Sequence, residues 1–143
     1  MVHVAIMNKK WGFVDKILNG QKTVESRWYK NKYRPWDAVK KGEMVYFKNS
    51  GEKVVARATI KKVLQFSDLS ENKVMEILHR YGRNIGIEEH DAPTFYKMWT
   101  RKKYCILLFL HKAHKVSPFT INKKGFGAMA SWISVEDIRE IML

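Results

Sequence analysis

The apolar residues of the chain follow two different periods, and the period predicts which segments are helices and which are strands. In segment 11–19, WGFVDKILN, they recur at helical intervals, and Gly20 follows where a helix C-cap favours glycine. A second helical stripe spans 70–80 and is closed by Gly82. Segment 91–99 begins with Asp-Ala-Pro, which is typical of a helix start. These patterns predict three helices, and the spacing in VEDIREIML predicts a fourth at the C-terminus.

Other segments have the alternation, or the short continuous apolar run, that is typical of strands. In the most regular one, Val54, Ala56, Ala58 and Ile60 face one way, so one face of that strand is apolar. The predicted strands are 3–7, 22–28, 44–49, 53–66, 103–111 with a continuation at 116–120 on the sheet edge, and 132–134. No repeat or linker divides residues 1–143, which predicts a single domain. The fold class predicted is α+β, a small, mainly antiparallel β-barrel with helices packed at its openings.

Charge separates the two halves of the chain. The sequence has 27 Lys and Arg against 14 Asp and Glu, a net charge of +13. Residues 1–62 hold 15 basic and 5 acidic residues, whereas residues 63–143 hold 12 and 9. Basic residues interleaved with aromatic ones are typical of a surface that binds phosphates and stacks bases. The alternative is that the charge only maintains solubility while the aromatic residues fill the core.

Cysteine content and hydropathy predict the compartment. Cys105 is the only cysteine, so no disulfide forms within the chain. The longest apolar run, 104–110, is far shorter than a membrane-spanning helix requires, and no signal peptide is recognisable. We therefore expect a soluble cytoplasmic protein that does not associate with membranes.

The segment GQKTVESR, at residues 20–27, combines strand-forming residues with three charges. On a strand, Glu25 and Arg27 lie on the same face. Lys22 directly follows a turn, so the alternation does not determine its direction. A carboxylate beside a guanidinium can contact the edge of a base or clamp a phosphate. The alternative is an exposed ion pair that contributes little.

Gly20, Lys22, Glu25 and Arg27 match the motif G-x-K-x-x-E-x-R, and with it the chain resembles the ASCH domains, a branch of the PUA-like superfamily. The strand that follows, KKGEMVYFKNSG, is similar to a strand of that family, with Glu43 where aspartate is more usual. The resemblance extends over most of the chain. It implies a PUA-like barrel with a cleft lined by the motif strand, and a function in binding RNA, a nucleotide or a nucleoside.

The cleft is expected to hold a base or a nucleoside between the motif charges and aromatic side chains, while basic residues of the following loop contact phosphates. The predicted ligand-binding residues are Lys22, Glu25, Arg27, Trp28, Lys30, Lys32, Arg34, Lys48, Trp99, Lys103 and Tyr104. Neither a metal nor a cofactor is predicted, and the sequence leaves the oligomeric state open.

The alternative function is that of a small amidohydrolase acting on an acylated cytidine nucleoside, as some members of the family are. Those members use the motif lysine with a threonine where this chain has Glu25, so Lys22 and Glu25 are the candidate catalytic residues, with Glu25 as the general base. The sequence contains no G-x-S-x-G motif, which disfavours a serine hydrolase of that type. A third alternative is a protein-interaction module whose charge is incidental.

Overall fold

The computed structural model describes residues 1–143, in which six strands form one sheet and three α-helices pack on it. The strands are β1 Val2–Met7, β2 Val24–Tyr29, β3 Met44–Asn49, β4 Val54–Phe66, β5 Tyr104–Phe119 and β6 Trp132–Val135. The helices are α1 Phe13–Leu18, α2 Glu71–Ile85 and α3 Ala92–Trp99.

The sheet is mixed and curls into a half-barrel. Its strand order is β2-β5-β4-β3-β1-β6, and every neighbouring pair is antiparallel except β1 with β3. The curl brings the two edges of the sheet together. Arg27, on the edge strand β2, therefore reaches the opposite edge, where it donates to the backbone oxygens of Ser131 at 3.1 Å and of Ile6 at 3.4 Å. The predicted α+β class and the mainly antiparallel barrel-like sheet are therefore confirmed.

The inside of the curl and the α-helices enclose one apolar cluster of 27 buried residues. Strand β4 faces this cluster with Ala56, Ala58 and Ile60, as the alternation predicts. Val54 does not join them, because the register shifts between Val54 and Ala56, and an extra residue there reverses the side on which a side chain points. Val54 belongs instead to a smaller cluster of seven buried residues that includes Ile121 and Ile141.

Helix α2 is longer than the pattern of apolar residues predicts. Ser70 caps its first turn by accepting a hydrogen bond from the backbone N–H of Lys73. Gly82 lies inside the helix, buried against the core, and the helix ends at Gly86, whose φ of 96° is the left-handed conformation of a C-cap. The helix therefore continues one turn beyond the glycine predicted to end it.

The predicted C-terminal helix is wrong. Only a single 3₁₀ turn forms, at Ile138–Glu140, although Asp137 and Glu140 make the reciprocal capping box that begins many helices. The chain then pairs Met142 with Ile121 as an isolated bridge and buries Ile141 in the smaller cluster. Tertiary contacts outweigh the local helical pattern there.

Candidate nucleic-acid interface

The three charged residues of the motif form a contiguous ion cluster at the start of β2. Lys22 Nζ lies 3.0 Å from Glu25 Oε1, and Arg27 Nη2 lies 2.9 Å from Glu25 Oε2. Arg27 Nε also donates to Oε2, at 3.0 Å, so the guanidinium grips one carboxylate oxygen with two nitrogens. Strand alternation correctly predicts that Glu25 and Arg27 share a face, and Lys22 turns to the same side.

This cluster is buried and its hydrogen-bonding capacity is used within the protein. The side chain of Lys22 has three N–H donors, and they meet the backbone oxygens of Val24 and Ile85 as well as Glu25. The remaining contact of Glu25 Oε1 is with the backbone N–H of Ser26. Lys22 retains 1% of its surface exposure, which leaves no donor for a ligand.

Burial and charge act against each other on the pKa values of these groups. Burial lowers the pKa of Lys22 below its ordinary value, and the attraction of Glu25 offsets this only in part. For Glu25, burial acts to raise the pKa, but the charges and hydrogen bonds of Lys22 and Arg27 outweigh it and hold the pKa below its ordinary value. Glu25 is therefore ionised at neutral pH and is not poised to exchange a proton.

A cavity of about 750 Å³ opens beside Gly86. A Cβ at Gly86 would lie 3.2 Å from the Cβ of Lys22, so this glycine packs closely against the lysine of the ion cluster. Charged side chains of both signs line it, namely Lys16, Arg83, Glu88 and Glu89, together with His79. No member of the motif cluster lines it, and its mixed charge suits a polyanion poorly.

The two tryptophans predicted to rim the cleft are part of the core. Trp28 and Trp99 stack with ring centroids 4.4 Å apart and an interplanar angle of 9°, and both are buried. The indole N–H of Trp28 donates to Ser26 Oγ. Their expected role in stacking a ligand base is therefore corrected to packing, because each ring covers a face of the other.

A cluster of cations, five of them exposed and Lys102 half-buried, lies where β2 ends and β5 begins. The register of the two strands places Tyr29 opposite Tyr104, and the backbone N–H of Lys103 donates to the oxygen of Tyr29. The loop after β2 and the turn before β5 therefore meet. We call their six cations, none of which forms an ion pair, the basic end: Lys30, Lys32, Arg34, Arg101, Lys102 and Lys103.

Aromatic rings lie among these cations. Tyr33 is 60% exposed, the largest exposure of any aromatic side chain in the chain, and its ring packs edge-on against Tyr29. The ammonium of Lys32 lies 5.8 Å from the ring centres of both Trp36 and Tyr104. The basic end thus combines unpaired cations with an open aromatic face, the pattern of single-stranded nucleic-acid binding surfaces.

The remaining predicted binding residue, Lys48, lies elsewhere. It is buried on β3, where burial and the charge of Lys123 lower its pKa. The structure thus brings four predicted cations to the basic end with Tyr104 beside them, buries three predicted residues in the ion cluster and two in the core, and leaves Lys48 apart. It adds Arg101 and Lys102, which the run RKK could have indicated once the pairing of β2 with β5 was known.

One group of side chains could hold a metal ion. Carboxylate and imidazole atoms of Glu88, His90 and Asp91 lie within 4.8 Å of one another at the surface. Exposed acids before a helix also occur as helix-capping residues, and these precede α3. His111 and His114, three residues apart on β5, are both exposed, and His114 contacts its own strand through the backbone oxygen of Lys112.

No protein-family model matches the chain, and no curated protein matches it. Solved structures do. The chain is similar to the ASCH protein of Zymomonas mobilis at 17% identity and a TM-score of 0.67, over 94% of this chain and 87% of that one. A tyrosine-to-phenylalanine variant of the same protein matches at 16% identity and a TM-score of 0.69, over 96% and 92%. The N-terminal domain of Staphylothermus marinus McrB matches at 15% and 0.50, over 82% and 75%.

The chain therefore has the ASCH fold, and the resemblance inferred from the motif is confirmed at the level of the fold. Its longest helix has 15 residues, and none of its helices combines the length and apolar character needed to cross a membrane.

Proposed function

We propose that this ASCH-fold chain binds single-stranded RNA or nucleotides through the basic end. The observation that carries the proposal is the six cations of the basic end, none of which forms an ion pair, in a region whose loop also presents the 60% exposed ring of Tyr33. Phosphates would neutralise the cations and release condensed counterions. A base would stack on Tyr33, and stacking of this kind tolerates any sequence because every base has a π-face.

In this proposal the buried ion cluster supports the interface without contacting the ligand. Glu25 and Arg27 lie four and two residues before Tyr29, where β2 ends and the basic loop begins. Arg27 ties β2 to the opposite edge of the sheet through Ile6 and Ser131. A strand held at both edges gives the loop a rigid base, which lowers the entropy lost when the ligand binds.

Binding is tested by fluorescence anisotropy with a labelled single-stranded RNA at several salt concentrations. If each of the six cations meets one phosphate, the slope of log K against log salt is about −4, at about −0.7 per phosphate. Replacing Lys30, Lys32 and Arg34 together with alanine removes half of the cluster and should flatten the slope by about 2. Tyr33→Ala should weaken binding by about 1–3 kcal/mol and leave the slope unchanged.

The matched control removes three exposed lysines outside the basic end, Lys61, Lys112 and Lys115. It has the same net charge as the triple loop variant. If both triple variants lose affinity equally, binding follows overall charge and the proposed interface is wrong. Release of the acyl group from an acylated cytidine, abolished in Lys22→Met while RNA binding is retained, would instead support the amidohydrolase.

A further inference from the structure

A second polar network lies on the inner side of β1 and β6. His3 Nδ1 is 2.8 Å from Ser134 Oγ, and His3 Nε2 is 3.0 Å from Glu43 Oε1. A hydroxyl, an imidazole and a carboxylate are thus joined in series by two hydrogen bonds. The three residues come from β1, β6 and the turn before β3, and the sheet pairs His3 directly opposite Ser134.

We assign the proton of His3 to one of its two nitrogens from their hydrogen-bond partners. The indole N–H of Trp132, which can only donate, points at Nδ1 from 3.3 Å, so Nδ1 presents its lone pair. The proton is therefore on Nε2, directed at Glu43. Ser134 then donates its hydroxyl proton to Nδ1 at 2.8 Å and shares that lone pair with the longer contact from Trp132, and an imidazole that accepts from a hydroxyl can activate it as a nucleophile.

The charge states agree with this assignment. Burial lowers the pKa of His3 below its ordinary value, so the imidazole is neutral and able to accept a proton at neutral pH. The pKa of Glu43 is about 2, because hydrogen bonds from His3 and from the backbone of Lys40 outweigh its partial burial, and the carboxylate is ionised. The carboxylate of Glu43 favours the imidazolium form of His3, whereas burial and the positive charges of Arg34 and of the Met1 ammonium, 3.0 Å from Glu43 Oε2, oppose it.

The members of the network differ in their exposure to solvent. Ser134 keeps 8% of its surface exposed, unlike His3, which is completely buried. Glu43, with 16% of its side chain exposed, is the most exposed member of the network, and Ser134 is more exposed than His3.

We propose that Ser134 is a nucleophile towards small carboxylic esters, with His3 as its general base and Glu43 as the residue that positions His3. In the reaction, a bond forms between Ser134 Oγ and the acyl carbon as the bond from that carbon to the alcohol oxygen breaks. The hydroxyl proton passes to His3 Nδ1 and then to the departing alcohol. Water, deprotonated by His3, hydrolyses the acyl-serine and releases the carboxylic acid. This activity goes beyond the proposed RNA binding and does not depend on it.

The test is covalent labelling of the folded protein with an alkyl fluorophosphonate, in which Ser134 Oγ displaces fluoride from phosphorus. Intact mass and peptide mapping measure the extent and the position of the label, and hydrolysis of p-nitrophenyl acetate is measured in parallel. We expect one label per chain, on Ser134. Ser134→Ala should abolish labelling, and His3→Gln should slow it by about 100-fold or more, the usual contribution of a general base.

Variants of Glu43 test whether the carboxylate positions His3 for the reaction or only packs against it. Glu43→Gln should slow labelling, and Glu43→Asp, which keeps the charge, should restore part of the rate. Ser131→Ala, a serine three positions earlier in the chain, is the matched control and should label like the wild type. Circular dichroism melts establish that each variant is folded at the assay temperature. Absence of label on Ser134 in the wild type, or equal labelling rates in the wild type and in folded His3→Gln, would overturn the proposal.

Discussion

Replacing Glu25 with glutamine should strongly destabilise the fold, because Glu25 is the only anion between two buried cations. The carboxylate is 3.0 Å from Lys22 and 2.9 Å from Arg27, and it is 3% exposed. Glutamine has nearly the same shape but no charge. The variant would therefore leave Lys22 and Arg27 buried beside each other with their mutual repulsion uncompensated.

Loss of one partner from a buried ion pair typically costs about 3–5 kcal/mol, since the remaining charge has been removed from water without compensation. A domain of this size has a total stability of roughly 5–15 kcal/mol. The unfolding entropy scales with chain length, so the same loss lowers Tm by about 10–15 °C. Urea denaturation measures the loss in the free energy of unfolding, and thermal melts followed by circular dichroism measure the fall in Tm.

Two comparisons decide whether charge is the cause. Lys22→Met leaves the neutral pair of Glu25 with Arg27, so it should destabilise less than Glu25→Gln. Glu52→Gln breaks an exposed ion pair with Lys9 and should have no measurable effect. The explanation fails if Glu25→Gln behaves like Glu52→Gln, or if Lys22→Met is the more damaging change.

Two further predictions concern stability. Gly86→Ala should lower the free energy of unfolding more than Gly51→Ala does. Both glycines have positive φ, but only at Gly86 would the new Cβ meet another side chain, the Cβ of Lys22 at 3.2 Å. Equal losses of stability in urea denaturation would contradict this. Stability should also fall on acidification. Because the pKa of His3 is lowered in the folded protein, the unfolded chain binds more protons than the folded protein below about pH 6.5, and this favours unfolding. The pKa of Glu43 is about 2 in the folded protein, so its contribution to stability is complete above about pH 4.5 and is lost as the pH approaches 2. Urea denaturation between pH 7 and pH 3 checks both effects, and a smaller loss between pH 7 and pH 5 in His3→Gln than in the wild type is the expected signature of the histidine.

Local sequence patterns determined the strands and most of the helices of this protein. Strand alternation depends only on the geometry of successive residues, which is why it predicts that Glu25 and Arg27 share a face and that Ala56, Ala58 and Ile60 point into the core. The motif and the order of elements were sufficient to indicate the ASCH fold. The excess of positive charge in the first half is likewise a property of the sequence alone.

Tertiary structure decided what those residues contact. Burial of the ion cluster depends on Ile85, Ile6 and Ser131, which are distant in sequence and approach only when the sheet curls and α2 packs on it. The same curl stacks Trp28 on Trp99 and removes both rings from the surface.

The polar network of residues 3, 43 and 134 also exists only after folding. Its serine follows no G-x-S-x-G motif, and no local period relates positions separated by 40 and 131 residues. Side-chain direction follows from the local backbone, whereas burial and partnership depend on which distant segments the core brings together. The sequence therefore determined most of the elements and their faces, and only the folded sheet decided which charges were buried and which remained free to meet a ligand.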